Sequence, residues 1–301
     1  MDKILQAVRQ QHIMAMLPII LLFLTCSCGR NSQSTEYSEH DTSNYVDMIA
    51  GYAINAPTKK YNMPAELQEI SGISYWKDDL IVCVQDELGY LFFYDLKAEE
   101  VVGKQKFGKP DDYEGVAVRG DEVFVISSDG KLHRVRLMDE EAETTVYELP
   151  FTRKNDLEGL CFSADGAYLL VVPKGRGGID GKKKKKTPVY RWSLETEQLE
   201  ESAFIEIDSG DFDKVNEDAD KDFMPSGIAI HPNTQSYFVL AHQGKKLVVL
   251  SPDQQLEEVA LLDDEIYRQP EAITFLPNGD LLIGSEGRGK RGYILYFPYE
   301  R

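Results

Sequence analysis

One short phrase recurs five times in this 301-residue sequence, and most of its copies carry an acidic side chain. Aligned on that position, the copies present Glu69, Glu114, Glu158, Ser226 and Glu271, at intervals of 45, 44, 68 and 45 residues. Carboxylate oxygens without a cluster of histidines or cysteines suit a hard cation, calcium first and magnesium second. If the copies face one another, the four glutamates are therefore candidate metal ligands.

Six further candidates belong to this rim: Ser226 from the row itself and five side chains expected to lie beside the row. Pairing each phrase with the strand that follows it brings in Asp86, Glu87, Lys174, Ser226, His242 and Glu286. Like charges gathered at one place raise one another's pKa or recruit a cation. Two other roles stay open for the glutamates: accepting backbone N–H bonds from the next repeat, which would staple the repeats together, or acid–base chemistry. Ser226 and His242 have no evident orienting acid, so no catalytic residue is assigned.

The elements that position these residues are short strands. A period near 45 residues, built from apolar runs bounded by Gly, Asp or Pro, is typical of propeller blades. We expect an all-β, five-bladed β-propeller in which each phrase opens an innermost strand. Residues 51–56 are expected to supply the outer strand of the last blade and close the ring. A sixth blade would have to lie between Glu158 and Ser226, where about 23 extra residues are too few for four strands.

The N-terminus predicts a targeting segment and a tether. Residues 1–27 combine a weakly basic start with an apolar stretch too short to span a bilayer. Cys28 follows Ser27 directly after this stretch, as in a lipobox, so we expect Cys28 to be lipidated, with Cys26 as the alternative. Residues 28–50 are polar and predict a flexible tether, and residues 51–301 form the propeller domain.

Net charge excludes one class of partner. The chain carries −18 at pH 7, and nucleic-acid binding needs a basic face. Two long loops, residues 174–188 (basic) and 208–222 (acidic), are predicted on the same rim as the glutamates. They could pair as a lid or be separate solvated insertions.

The ordered set of repeats resembles a known family. The resemblance rests on the segments Ile70-Ser-Gly-Ile-Ser, Asp156-Leu-Glu-Gly-Leu, Pro225-Ser-Gly-Ile-Ala-Ile-His-Pro and Gln269-Pro-Glu-Ala-Ile-Thr-Phe, the last followed by Asn278-Gly-Asp-Leu-Leu-Ile-Gly-Ser-Glu286. Together they resemble the SdiA-regulated β-propeller family of bacterial envelope proteins, which is distantly similar to phytase-like esterases. The resemblance implies a propeller in the cell envelope, with calcium in its channel held by Glu69, Glu114, Glu158 and Glu271.

The sequence therefore predicts a lipid-anchored, monomeric envelope propeller whose acidic channel mouth binds a cation. Its expected role is to bind a small ligand or an envelope protein. The alternative is a metal-dependent ester or phosphoester hydrolase, in which the ion polarises the substrate.

Overall fold

The computed structural model describes residues 48–138 and 142–300. The targeting segment, the lipidation candidates Cys26 and Cys28, and nearly all of the tether lie outside the described residues. Within the described ranges, no helix has the length and apolar character needed to cross a membrane.

Short strands and their connections make up nearly the whole described chain. In chain order the strands are β1 (Met48–Ile49), β2 (Tyr52–Ala53), β3 (Lys59–Asn62), β4 (Ile70–Lys77), β5 (Leu80–Gln85), β6 (Tyr90–Asp95), β7 (Glu100–Lys106), β8 (Tyr113–Arg119), β9 (Glu122–Ser127), β10 (Lys131–Arg136), β11 (Glu143–Glu148), β12 (Leu157–Phe162), β13 (Tyr168–Pro173), β14 (Thr187–Ser193), β15 (Gln198–Leu199), β16 (Ile205–Ile207), β17 (Met224–Ile230), β18 (Tyr237–Gln243), β19 (Lys246–Leu250), β20 (Leu256–Leu261), β21 (Pro270–Phe275), β22 (Leu281–Ser285) and β23 (Tyr293–Phe297). Short 3-10 helices cover Ala65–Leu67, Ile179–Gly181 and Ser209–Lys214.

Five antiparallel sheets form the blades of one ring. Blade one is β4–β7, blade two is β8–β11, blade three is β12–β14 with β15 and β16, blade four is β17–β20, and blade five is β21–β23 with β3. The innermost strands β4, β8, β12, β17 and β21 contact one another in that order, and β21 contacts β4. The predicted five-bladed propeller is confirmed, and each repeated phrase opens or immediately precedes an innermost strand.

An N-terminal strand closes the ring, but it is not the predicted one. Strand β3 pairs with β23, from Tyr293 opposite Asn62 to Tyr296 opposite Lys59. Residues 52–53 instead pair with residues 48–49 in a small hairpin, and the side chain of Tyr52 is buried between blades four and five. The prediction failed because β3 is an outer strand with three exposed residues in four, so it lacks the apolar pattern.

The long interval in blade three holds no sixth blade. Its last strand is split into two pieces, since β15 pairs with one end of β14 and β16 with the other. The remaining residues form the two long loops on either side of these strands. The alternative of six blades is therefore wrong.

The core consists of five apolar clusters, one between each pair of adjacent blades. Apolar residues on both faces of the inner strands bury themselves against neighbouring sheets, which fits the nearly continuous apolar runs in the sequence. This packing fixes the inner strands, and with them the side chains that surround the central channel.

Candidate functional site at the channel mouth

Each innermost strand carries a bulge at the same level of the channel. The paired register skips one residue in each blade, and the skipped residues are Ser71, Glu114, Glu158, Ser226 and Glu271. A bulge re-aims its side chain, and these five residues, here called the inner ring, line the narrowest part of the channel. The free space at this level is only about 10 Å³.

The bulge in blade one corrects the alignment of the first repeat, which had placed Glu69 in line with the other glutamates. Ser71 occupies the position that Glu114 and Glu158 hold in blades two and three, whereas Glu69 lies just before β4. Gly72 reveals the correct register, because it matches the glycine directly after the glutamate in those blades. The inner ring therefore contains three glutamates and two serines.

The glycine after the inner-ring residue is required by close packing of the strands. A Cβ atom added at Gly115 would lie 2.6 Å from the carbonyl oxygen of Glu158, and one at Gly72 would lie 2.8 Å from that of Glu114. Gly227 faces the carbonyl oxygen of Glu271 in the same way, at 2.9 Å. In these three blades the absence of a side chain lets the backbones of adjacent blades approach each other around the axis, whereas blade five carries Ala272 at this position.

The two inner-ring serines connect adjacent blades. The Ser71 hydroxyl donates to the carbonyl oxygen of Tyr113, and the Ser226 hydroxyl donates to that of Pro270, both at 2.7 Å. The stapling role considered for the glutamates is thus performed by serine in these two blades. The hydroxyl of Ser226 is committed to this bond.

A lysine and a histidine face the inner-ring glutamates. The Lys174 ammonium lies 2.5 Å from a carboxylate oxygen of Glu158, as the strand pairing predicted. His242 Nδ1 lies 3.1 Å from Glu271 Oε1, and Arg288 Nη2 lies 3.3 Å from His242 Nε2. Blades three, four and five therefore supply an ion pair and a short polar chain around one opening.

Burial and crowding raise the pKa values of two inner-ring carboxyl groups, those of Glu114 and Glu158. Desolvation is the main cause for Glu158 and Glu114, and it is reinforced by Glu271 next to Glu158 and by Glu158 next to Glu114. Burial acts to lower the pKa of Lys174, but the carboxylates of Glu158 and Glu271 outweigh it and raise that pKa. The ammonium stays charged, and the carboxyl groups hold protons more tightly than exposed glutamates do.

A second set of carboxyl groups lies beside the inner ring, between blades one and five. This outer acidic group consists of Glu69, Asp86 and Glu286. The backbone N–H of Asp86 donates to the carbonyl of Glu69, as predicted. Burial, then the charges of Glu69 and the exposed Glu87, raises the pKa of Asp86 to about 6. Burial, then Glu271, raises the pKa of Glu286 to about 8.

The chemistry of this donor set fits a hard cation. All the acidic donors are carboxylates, and two of their oxygens, Glu271 Oε2 and Asp86 Oδ1, are buried without a hydrogen-bond partner among the described residues. In the described ranges, however, no three His, Cys, Asp or Glu side chains are arranged to hold a metal ion. Metal coordination by Glu69, Glu114, Glu158 and Glu271 stays a prediction, and it would require side chains to turn toward a common point.

Each of the two long loops, residues 174–188 and 208–222, is anchored by its own polar contacts with neighbouring residues. The side-chain amide of the buried Asn155 donates to the carbonyls of Arg176 and Gly178, at 2.6 and 2.7 Å, which anchors the basic loop. One ion pair connects the two loops, with Lys186 Nζ 3.6 Å from Asp208. The acidic loop is anchored separately, by the buried ammonium of Lys246.

Lys246 supplies a cation to the acidic loop from within the chain. Its nearly buried ammonium contacts Asp220 Oδ1 at 2.8 Å and the carbonyls of Asp222 and Gly244, each at 2.9 Å. Part of the acidic charge of this loop is therefore neutralised by a lysine of blade four.

Sequence reasoning missed three polar residues near the opening. Asp112 contributes to the raised pKa of Glu114, and Asp156 contributes to that of Glu158. Both lie two residues before the inner-ring glutamate of their blade, a repeated Asp-x-Glu signal that the sequence does contain. Arg288 has no such signal, because its contact with His242 depends on the meeting of blades four and five.

Comparison with solved structures supports the fold alone. The chain matches the crystal structure of glutaminyl cyclase from Myxococcus xanthus with a TM-score of 0.52 and 12% identity, over 81% of this chain and 96% of that one. It also matches a chain of the mitotic checkpoint complex with a TM-score of 0.50 and 9% identity, over 90% of this chain and all of that one. No curated protein matches the chain.

A family-level match covers most of the propeller. A sequence model described as "Phytase-like: Esterase-like activity of phytase" matches residues 65–247, which run from the segment before blade one into blade four. This range includes the inner-ring residues of blades one to four and Lys174. The chain belongs to the phytase-like family.

Proposed function

We propose that the channel mouth binds a divalent cation, calcium in preference to magnesium, and through it an anionic ligand. The observation that carries this proposal is the set of buried carboxylate oxygens without partners, on Glu271 and Asp86, within a crowded acidic opening. A buried acceptor without a donor is costly, and a hard cation with oxygen ligands would satisfy it.

Three inner-ring glutamates are the proposed ligands, with Glu69 and Asp86 at the outer edge. Lys174 already neutralises part of this charge from its position against Glu158. The pKa values of Glu114 and Glu158 are raised by burial and by their acidic neighbours, so these carboxyl groups hold protons more tightly than exposed glutamates do. A cation that binds there must displace these protons, which gives the proposal a direct signature.

Calorimetric titration of calcium chloride into the purified, metal-stripped protein tests the cation site. We expect binding whose apparent enthalpy at pH 7 changes between buffers of different ionisation enthalpy, because protons are released. Glu271→Gln should weaken binding by about tenfold or more, as expected for loss of one charged ligand. The exposed Glu257 of β20 supplies the control, since Glu257→Gln should bind like the parent. Equal calcium affinity in the parent and Glu271→Gln would contradict the site.

The family match favours a second function at the same place, hydrolysis of an ester or phosphoester. A bound divalent cation would attract the substrate oxygens and polarise the bond under attack. Glu286, with a pKa of about 8, is protonated at pH 7 and can donate a proton to the leaving oxygen. Asp86, with a pKa of about 6, is mostly ionised and can accept a proton from water, so in this second function it acts as a base and not as a cation ligand. Two carboxyl groups with separated pKa values suit acid and base roles.

Hydrolysis of p-nitrophenyl phosphate and p-nitrophenyl acetate, with and without calcium, separates enzyme from binder. An enzyme should lose about 100-fold in kcat when Glu286→Gln removes the general acid, with calcium affinity little changed. Calcium binding without turnover of either ester would support the binding function and contradict the hydrolytic one.

Location in the bacterial envelope is proposed from the sequence alone. We propose that the chain is a lipoprotein anchored through Cys28, and that within its family it stands with the SdiA-regulated propellers. Metabolic labelling with radioactive palmitate tests the anchor: Cys28→Ala should abolish label, whereas Cys26→Ala should retain it. Label lost only in Cys26→Ala would move the anchor to Cys26.

A further inference from the structure

A cleft separate from the channel lies between blades one and two, on the rim that carries the channel mouth. It encloses about 630 Å³, within the range of small-molecule sites. The segment from Gln105 to Tyr113, which links the two blades, forms one wall, and strands β10 and β11 form the other. Tyr113 lines this cleft while its neighbour Glu114 lines the channel, so a single strand contributes to both.

A buried imidazole without hydrogen bonds lines this cleft. His133 is only 6% exposed, and neither of its ring nitrogens has a hydrogen-bond partner among the described residues. The hydroxyl of Thr144, which also lines the cleft, lacks a partner in the same way. Burial lowers the pKa of His133, so the ring is neutral at pH 7 and offers one donor and one acceptor. These polar atoms lie just beneath the cleft surface with almost no accessible area, so a ligand completes their hydrogen bonds once the cleft wall shifts to expose them.

Aromatic and apolar groups make up much of the cleft wall. The rings of Phe107 and Tyr113 lie edge-on to the imidazole of His133, with centroids 5.7 and 5.3 Å away. The methyl groups of Ala142 and Val146 lie in the opposite wall, and Val146 is 46% exposed at its edge. This lining suits a flat, apolar ring.

Three lysine side chains line the cleft of this acidic protein. Lys131 is paired with Asp111 at 3.1 Å and also contacts Asp129. Lys106 and Lys109 are exposed at the entrance. Three lysines and one aspartate line the cleft, whereas the chain as a whole carries −18. The exposed ammonium groups of Lys106 and Lys109 therefore attract an anionic group to this entrance.

We propose that this cleft is a binding site for a small aromatic carboxylate. The ring lies against Phe107, Tyr113 and Val146, the carboxylate faces Lys106 and Lys109, and the imidazole of His133 donates to the bound ligand.

Calorimetric titration with 2-naphthoate tests this site on the whole protein. We expect saturable binding in the parent, and about tenfold or weaker binding of the neutral analogue 2-naphthalenemethanol, because it lacks the charge-assisted bonds. Val146→Trp should fill the entrance and reduce naphthoate binding at least tenfold. Leu261→Trp is the matched control, because Leu261 is 38% exposed on the outer strand of blade four. It should bind naphthoate like the parent.

Imidazole resonances of the parent protein give a second readout. In long-range nitrogen–proton spectra, saturating 2-naphthoate should shift the ring nitrogens of His133, with His133→Phe identifying the signal. Absence of binding in the parent, equal binding in Val146→Trp, equal binding of the neutral analogue, or unshifted His133 nitrogens would each overturn the proposal.

Discussion

The two ends of the central channel are built by the same five strands and differ completely in chemistry. At one end lie the inner ring and the outer acidic group, with polar contacts to Lys174 and His242. At the other end a cavity of about 310 Å³ is lined mainly by apolar side chains, among them Val118, Leu160, Phe162, Ile230 and Phe275.

A bulge marks the boundary between these two ends. Strand β12, for example, has its bulge at Glu158 and is regularly paired from Gly159 to Phe162. Regular pairing continues the apolar pattern of the core, whereas the bulge turns a polar side chain to the axis. One bulged residue in each innermost strand is therefore enough to give a ring of five similar apolar strands a polar end.

The largest expected effect comes from replacing Lys174, whose ammonium pairs with Glu158 at the polar end. Lys174→Met leaves the buried carboxylate of Glu158 unpaired and should destabilise the protein by about 3–5 kcal/mol at pH 7. Urea unfolding measures this change. The double variant Glu158→Gln/Lys174→Met should recover much of the loss, and a Lys174→Met protein as stable as its parent would contradict a buried ion pair.

The apolar end should respond to loss of volume and be indifferent to charge. Leu160 is 5% exposed, and Leu160→Ala should cost about 2–4 kcal/mol through lost burial and a residual cavity. Unfolding at pH 5 and pH 8, with and without calcium, should give the same difference from the parent. A calcium-dependent difference would mean that the two ends are not independent.

Stability should also depend on pH through the polar end. The pKa of Glu286 is raised to about 8 and that of Asp86 to about 6, above the ordinary values of both groups. Groups with raised folded-state pKa values stabilise the fold fully below pH 4, and this contribution is lost as pH rises toward 8. Glu286 alone contributes a slope of at most about 1.4 kcal/mol per pH unit. Glu286→Gln should flatten the profile measured by urea midpoints from pH 5 to 8.

The smallest expected effect separates the serines of the inner ring from its glutamates. Ser226→Ala removes the donor to the carbonyl of Pro270 and should cost about 1 kcal/mol in thermal or urea unfolding. Calcium affinity should stay at the parental value, in contrast to Glu271→Gln. Equal losses of calcium affinity in both variants would assign the serine a direct part in cation binding.

Much of the fold could be predicted from the sequence because propeller blades repeat. Each inner strand carries the same apolar run, so the spacing alone indicated five blades. The closing strand β3 could not be predicted in this way, because an outer strand of a propeller faces solvent. Its sequence Lys-Lys-Tyr-Asn has only one buried residue.

The site was predicted less completely, for reasons of register and tertiary contact. Both Glu69 and Ser71 fit the polar position of the first phrase, and only the bulge shows that Ser71 occupies it. The Lys174–Glu158 pair follows from a local hairpin and was found. The contact of His242 with Glu271 joins two blades, which local pairing cannot reveal.

Ring closure by β3 has a consequence for how the chain folds. Its pairing joins residues more than 230 positions apart, Tyr293 with Asn62, so the last blade can be completed only after the rest of the ring has brought them together. Contacts of such long sequence separation form slowly, because the intervening chain must first be ordered. We expect a late folding intermediate with four finished blades and an open fifth, in which the free edge of β23 is exposed to proteases and to pairing with other chains.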